Sequence, residues 1–336
     1  MMNSHTYHNH LWRTFAEYRR TAFPGDDALF EDRVADGTAP TVFKRMHATR
    51  NILVPCDASP QTVKAIQDAV APADRHKWFS SLSSSQALCQ SVFAGLRETG
   101  HIRALRGLLA EDGRVAFGER GDDWELTLEH KVKTLNEPRP TSIDAFFHGP
   151  QRIAVEVKFA ESEFGTCSRP RLRANEPHYK RDHCDGNFSM QRDRSERCSL
   201  TSQGIRYWEH IPRLLTWYGD RDCRPCALAE SYQLVRNLLA ANLDEKGSLS
   251  SPEGHVLVIY DDRNPAFASG GKAYAQWIAT FAALRFPHML RKLSWQRMAG
   301  HLAGVAELRW LVDGLRLKYG IVASNPGGGC VGARLP

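Results

Sequence analysis

No stretch of the 336-residue chain is apolar for long enough to cross a bilayer. The opening MMNSHTYHNHLWRTFAEYRR lacks the apolar core of a secretory leader and reads as an irregular start followed by a helix. No internal repeat is present, which argues against solenoids and propellers. Neither sign of charge dominates: 44 Lys and Arg against 38 Asp and Glu leave +6. That surplus is too small to name a nucleic-acid partner by itself. These absences lead us to expect a cytoplasmic protein without membrane contact. In that compartment the eight cysteines stay reduced or bind metal rather than pair.

Several common catalytic signatures are missing as well. There is no His-Glu-x-x-His and no Gly-x-Ser-x-Gly. SGGKAY resembles part of a phosphate loop, but the pattern requires glycine at Ala266 and serine or threonine at Ala273.

What is present is ordinary globular composition, 42% hydrophobic and 24% charged, enough for one large domain or two small ones. Helical spacing of apolar residues marks LWRTFAEYRRTAF, PQTVKAIQDAVAPADRH and SSLSSSQALCQSVFAGLRETG. DDWELTLEHKVKTL then alternates, with Leu126, Leu128, His130 and Val132 on one face. TSIDAFFH and QRIAVEVKFA follow as strands. After an irregular polar stretch, IRYWEHIPRLLTWY and LAESYQLVRNLLAANL read as helices and HVLVIYDD as a short buried strand. KAYAQWIATFAALRF and SWQRMAGHLAGVAELRWLVDGLRLKYG return to helix. This order predicts an α/β core with a mixed sheet flanked by helices.

The stretch SIDAFFHGPQRIAVEVKF carries the chemistry. A three-residue loop over Gly149 to Gln151 puts Asp144 opposite Glu156, Ser142 opposite Lys158 and Phe146 opposite Ala154. Asp144, Glu156 and Lys158 then share one face. The other face holds Ile143, Ala145, Phe147, Ile153, Val155, Val157 and Phe159, all apolar. A one-residue slip would separate the acids. Two unpaired carboxylates are costly to bury, and a hard divalent cation such as Mg²⁺ offsets that cost while keeping waters for chemistry. Lys158 is placed to orient a water or to stabilise charge on a phosphate.

This constellation, Asp144 followed by Glu156-x-Lys158, resembles the PD-(D/E)xK nuclease superfamily. Together with SSQALCQSVFAGL, VEVKFAESEFGTCSRPRL, YQLVRN and SWQ…LKYG, it resembles a bacterial restriction-endonuclease-like family over residues 78–321. The resemblance implies a restriction-endonuclease-like α/β fold with helical N- and C-terminal additions. It divides the chain into a helical region over 1–120, a nuclease core over 121–262 and a helical region over 263–336. It implies DNA as substrate, phosphodiester hydrolysis with Mg²⁺ or Mn²⁺, and a restriction or defence role. Asp144 and Glu156 would ligate the metal, and Lys158 would position the attacking water or help deprotonate it. Superfamily members often add an upstream acid; Glu129 is the first candidate and Glu98 the second. RecB-like members carry Gln-x-x-x-Tyr, but here Asn237 stands at the tyrosine position after Gln233. Gln233 and Arg236 sit one turn apart, within reach of a phosphate or on a solvated helix face.

Five cysteines, Cys167, Cys184, Cys198, Cys223 and Cys226, fall within sixty residues, and only CRPC is a tight pair. Zinc modules usually bring two tight pairs. Some relatives in the superfamily hold an iron–sulfur cluster on widely spaced thiolates, so a cluster, zinc and unligated thiols all stay open. The insertion holding them, about 163–226, is basic. Eight Lys and Arg face five Asp and Glu between Ser168 and Arg197, and Arg169, Arg171 and Arg173 are candidates for phosphate contact. Two other functions are carried alongside the endonuclease: a repair or adaptation exonuclease with a cluster, and a DNA-binding module without turnover. A homodimer is left open.

Overall fold

The computed structural model describes residues 3–32, 36–118, 124–140, 142–149, 151–186, 198–217, 226–249 and 253–324. Five strands form one sheet in chain order, β1 (Glu125–Lys131), β2 (Ser142–His148), β3 (Ile153–Val157), β4 (His255–Tyr260) and β5 (Leu290–Ser294). β1, β2 and β3 run antiparallel, whereas β3–β4 and β4–β5 are parallel. The sheet is mixed because hairpin-length connections join the first three strands and helical crossovers join the rest.

Eight α-helices longer than one turn accompany it among the described residues. They are α1 (Ser4–Ala22), α2 (Pro60–Asp68), α3 (Ser85–Glu98), α4 (Tyr207–Leu214), α5 (Ala227–Asn242), α6 (Lys272–Ala282), α7 (Trp295–Leu302) and α8 (Arg309–Tyr319). Local chemistry sets several ends. Asn3, Ser59, Ser84 and Ser294 cap α1, α2, α3 and α7 through their side-chain oxygens. None of the described helices is long and apolar enough to cross a membrane.

The sheet lies between two apolar cores. One gathers side chains of α1, α3, α7 and α8. The other gathers α4, α5 and α6. The face expected to carry the charges is therefore roofed by helices.

The β2–β3 register is the expected one, with Ala145 opposite Val155, Phe146 opposite Ala154 and Phe147 opposite Ile153. Six of the seven residues of the expected apolar floor join the first core; Ile143 joins the second. β1 also departs from a single alternation. Leu126 and Leu128 belong to the first core, Val132 belongs to the second, and His130 stacks on Phe146 with ring centroids 4.4 Å apart. The switch falls at Glu129, whose φ is +50°. One left-handed residue turns the strand over, so both sides of the break change face.

Two further differences concern elements. The histidine-rich start is helix: α1 begins at Ser4, and buried Tyr7 donates to the Phe159 carbonyl and to Asp261 Oδ2, each at 2.9 Å. β5, with sequence LRKLS, escaped the sequence reading because Arg291 and Lys292 interrupt its apolar pattern. The C-terminal SNPGGGC lies almost wholly outside the described residues.

α5 crosses the sheet close to the entry of β4. Gly254 donates to Asn242 Oδ1 at 3.0 Å, and a Cβ on Gly254 would lie 2.0 Å from the Ala241 carbonyl oxygen. Gly254→Ala is expected to destabilise the fold by about 1–3 kcal/mol, the usual cost of overpacking. Urea unfolding checks it: an unchanged midpoint would show that α5 and β4 are not held at this distance.

Candidate active site

Three carboxylates stand in a row across the sheet. Between the pairs Leu128–Ala145 and His130–Ile143, Glu129 lies opposite Asp144. One step beyond Ala145–Val155 puts Asp144 opposite Glu156. The β2–β3 ladder stops at that step, and Asp144 Oδ2 instead accepts the Val157 N–H at 2.7 Å. Oδ1 has no hydrogen-bond partner among the described residues.

Glu156 is 2% exposed and Lys158 7%. They form an ion pair at 2.9 Å. A buried pair of this kind persists only when its remaining hydrogen-bonding positions are filled. α5 fills them. Gln233 Nε2 donates to Glu156 Oε1 at 2.7 Å, and Asn237 Nδ2 donates to Glu156 Oε2 at 2.7 Å. Four residues apart, the two amides share one helix face. Gln233 Oε1 accepts from Lys158 Nζ at 3.0 Å and from the Gly165 N–H at 2.7 Å. With two donors on that oxygen, the amide can present only its nitrogen to Glu156. Asn237 is held in turn by Arg236, whose Nε and NH2 donate to its Oδ1 at 3.2 and 3.1 Å.

Charge at the site follows from this packing. Burial, reinforced by Glu156 and Glu129, holds the Asp144 carboxyl well above the usual carboxylate range; Lys158 and the Val157 N–H offset only part of that. Burial likewise raises Glu129, although hydrogen bonds from Ser142 and Gln86 pull the other way. Burial would depress the Lys158 ammonium, but Glu156, Glu161 and Asp144 outweigh it and hold Lys158 above its ordinary value. Lys158 is therefore an ammonium at neutral pH. Two of its N–H groups go to Glu156 and Gln233, and Nζ lies 5.6 Å from the centroid of the Phe164 ring.

Of the two upstream acids, Glu129 is the one that stands in the carboxylate row. Gln86 of α3 donates to Glu129 Oε1 at 2.6 Å. Glu98 pairs with Arg97 at 2.6 Å, twelve residues further along α3 and so about 18 Å away. A left-handed conformation at a non-glycine residue costs about 1–2 kcal/mol. Glu129 bears that cost at the position that faces Asp144.

Among the described residues, no group of three or more His, Cys, Asp or Glu side chains converges on one point. The row explains this: three acids on neighbouring strands span about 10 Å. Two adjacent ones, Asp144 and Glu156, are nevertheless enough for a hard cation that keeps its waters. Asp144 offers an unpartnered oxygen. Glu156 uses three of its roughly four lone-pair positions, so the donor set fits such an ion.

Sequence reading missed three contributors. Asn237 stood out only as a departure from Gln-x-x-x-Tyr, yet it is an i+4 partner of Gln233. Glu161 accepts from Ser85 Oγ at 2.5 Å and from the Phe159 N–H at 2.7 Å, next to Lys158. Gln86 gave no signal before α3 was docked. Two arginines are placed otherwise than expected. Arg236 is 4% exposed and spent on Asn237, so it faces inward rather than towards solvent. Arg169 bonds Asp182 and Gln203, each at 3.2 Å. Arg171 and Arg173 are exposed.

Four of the five clustered cysteines come together. Cys167, Cys184, Cys198 and Cys226 line one small cavity; Cys223 lies outside the described residues. Burial pushes the Cys167 thiol up to about 11 and the Cys226 thiol up to about 12.

The raised Asp144 carboxyl makes a stability prediction. A carboxyl that binds its proton more tightly folded than unfolded penalises the fold at high pH. The penalty shrinks as pH falls below the raised value and vanishes below about 4. Asp144→Asn keeps the acceptor for Val157 and is expected to raise the melting temperature most at pH 8, with the gain gone by pH 4. A gain independent of pH would mean that Asp144 is not held neutral by its surroundings.

The chain matches no curated protein and no solved structure. Over residues 27–320 it matches a family model described as restriction endonuclease associating with ARP. That match covers most of the chain and the whole of the carboxylate row, the ion pair and α5: the protein belongs to this restriction endonuclease family, and its α/β sheet is that of a restriction-endonuclease-like fold.

Proposed function

We propose that the protein is a metal-dependent endonuclease that hydrolyses DNA phosphodiester bonds in restriction or defence, with Asp144, Glu156 and Lys158 at its centre. The observation that carries this reading is the double bridge of Gln233, which fixes a buried carboxylate and an ammonium side by side next to a half-buried acid.

Asp144 and Glu156 would hold a Mg²⁺ or Mn²⁺ ion. When bound, such an ion neutralises phosphate charge and lowers the pKa of a coordinated water. The protein's own groups do the positioning. Lys158, already protonated, is a donor rather than a base; its remaining N–H orients a water or meets charge growing on the scissile phosphate. Gln233 and Asn237 keep Glu156 from rotating. Glu129, next in the row, disfavours the ionised form of Asp144, a cost that a cation bound there would relieve. Arg171 and Arg173 lie on the surface segment that follows β3, where phosphate contacts would guide a duplex without reading its sequence.

Cleavage of closed circular plasmid with Mg²⁺ or Mn²⁺, on modified and unmodified DNA, tests this reading. Lys158→Ala and Glu156→Gln are expected to lower kcat by about 10²–10³-fold or more while DNA binding persists. Retained cutting in both variants would remove this site from the reaction. Degradation of end-labelled linear DNA alone would make the enzyme an exonuclease. Gln233→Ala is expected to lower kcat about tenfold or more with KM little changed; normal turnover in that variant would show that the ion pair positions itself.

A further inference from the structure

The four cysteines lining one cavity come from four separate segments. Cys167 follows the turn after β3, Cys184 follows the single helical turn Tyr179–Asp182, Cys198 precedes the single turn Ser199–Ser202, and Cys226 is the residue before α5. Backbone bonds knit these segments: Cys226 N–H to the Gly186 carbonyl at 2.7 Å, and Cys167 N–H to the Ala229 carbonyl at 2.8 Å. The four side chains line one small, partly open cavity. Apolar groups of Pro170, Leu200 and Leu228 complete the wall.

Three features of this cavity ask for anionic sulfur. The Trp208 indole N–H donates to Cys198 Sγ at 3.1 Å. The Gly186 N–H donates to Cys184 Sγ at 3.3 Å. The Ser199 hydroxyl, which lines the same cavity, is buried without a hydrogen-bond partner. A neutral thiol is a weak acceptor, so two N–H groups aimed at sulfur are poorly used unless the sulfur is a thiolate.

We propose that Cys167, Cys184, Cys198 and Cys226 ligate an iron–sulfur cluster in this cavity. Four thiolates are the usual ligand number of such clusters, and hydrogen bonds to their sulfurs are a usual means of tuning them. A single zinc ion requires four sulfurs about 2.3 Å from one point. No three of the described cysteines converge in that way; they line the walls of a void instead. The chain spacing agrees, since none of the four forms a tight pair with another. Ligation releases one proton per thiol and adds to the backbone bonds that already join these segments, so the centre is a clamp for the start of α5. Gln233 lies two turns beyond Cys226, and the Gly165 that holds its amide lies two residues before Cys167. The proposal stands independently of the nuclease reading.

The test uses the full chain purified without oxygen. Iron and acid-labile sulfide should be present in comparable molar amounts, with visible charge-transfer absorption that dithionite bleaches. The Cys→Ser variants at 167, 184, 198 and 226 should each lose most of the iron, whereas Cys56→Ser and Cys89→Ser should keep it. Thiol alkylation of the wild type gives a second readout that does not depend on the variants folding: the four ligand cysteines should be protected until a chelator and acid strip the metal. Equimolar zinc with no sulfide would overturn the assignment. So would a folded protein, by circular dichroism, that contains no metal and takes up no iron and sulfide on anaerobic reconstitution.

Discussion

The burial of one ion pair organises this molecule. Glu156 sits on the central strand of the sheet and Lys158 just beyond its end, where neither charge can stay without partners. Removing them from water creates a demand for hydrogen bonds, and α5 meets it with two amides one turn apart. That requirement fixes the helix rotation and its height over β3. It also fixes the approach to β4, where Gly254 allows close contact. Arg236 and Gly165 then hold the amides themselves. The site is thus a chain of dependencies running outward from two side chains.

Asp144 plays the opposite part. It lies where the β2–β3 ladder ends, keeps one oxygen without a protein partner, and its charged form is disfavoured by its surroundings. A group so placed weakens the fold at neutral pH unless a cation or a proton joins it. Glu129 adds to that cost through both its charge and its left-handed backbone. Stability is given up at two adjacent positions of the carboxylate row, and it is recovered in the apolar cores on either side of the sheet.

How much was legible in the sequence depends on the range of the interaction. The β2–β3 register was readable, because period-2 alternation and a three-residue loop leave one pairing that buries the apolar set; the end of the ladder at Ala145–Val155 and the move of Ile143 to the other core were not. The long helices were readable from their apolar spacing, and α3 also from the serines before it. β5 was not, because a short strand with two basic residues carries little periodicity of its own. The reversal of β1 at Glu129 was hidden too: nothing local marks a glutamate for a left-handed conformation. Asn237 and Glu161 act only through residues distant in sequence. The cysteines were conspicuous as a group, yet their wide spacing said nothing about which four would meet.

The position of β3 has one more consequence. It is the strand at which the sheet changes from antiparallel to parallel pairing. Its charged pair comes from the first half of the chain, while the amides that stabilise it come 75 to 81 residues later. A ribosome-bound chain that has emerged only through β3 carries the pair without its supports. The supported arrangement can form only after α5 and β4 have been synthesised and docked, so the order of translation itself leaves the ion pair without its partners on an unfinished protein.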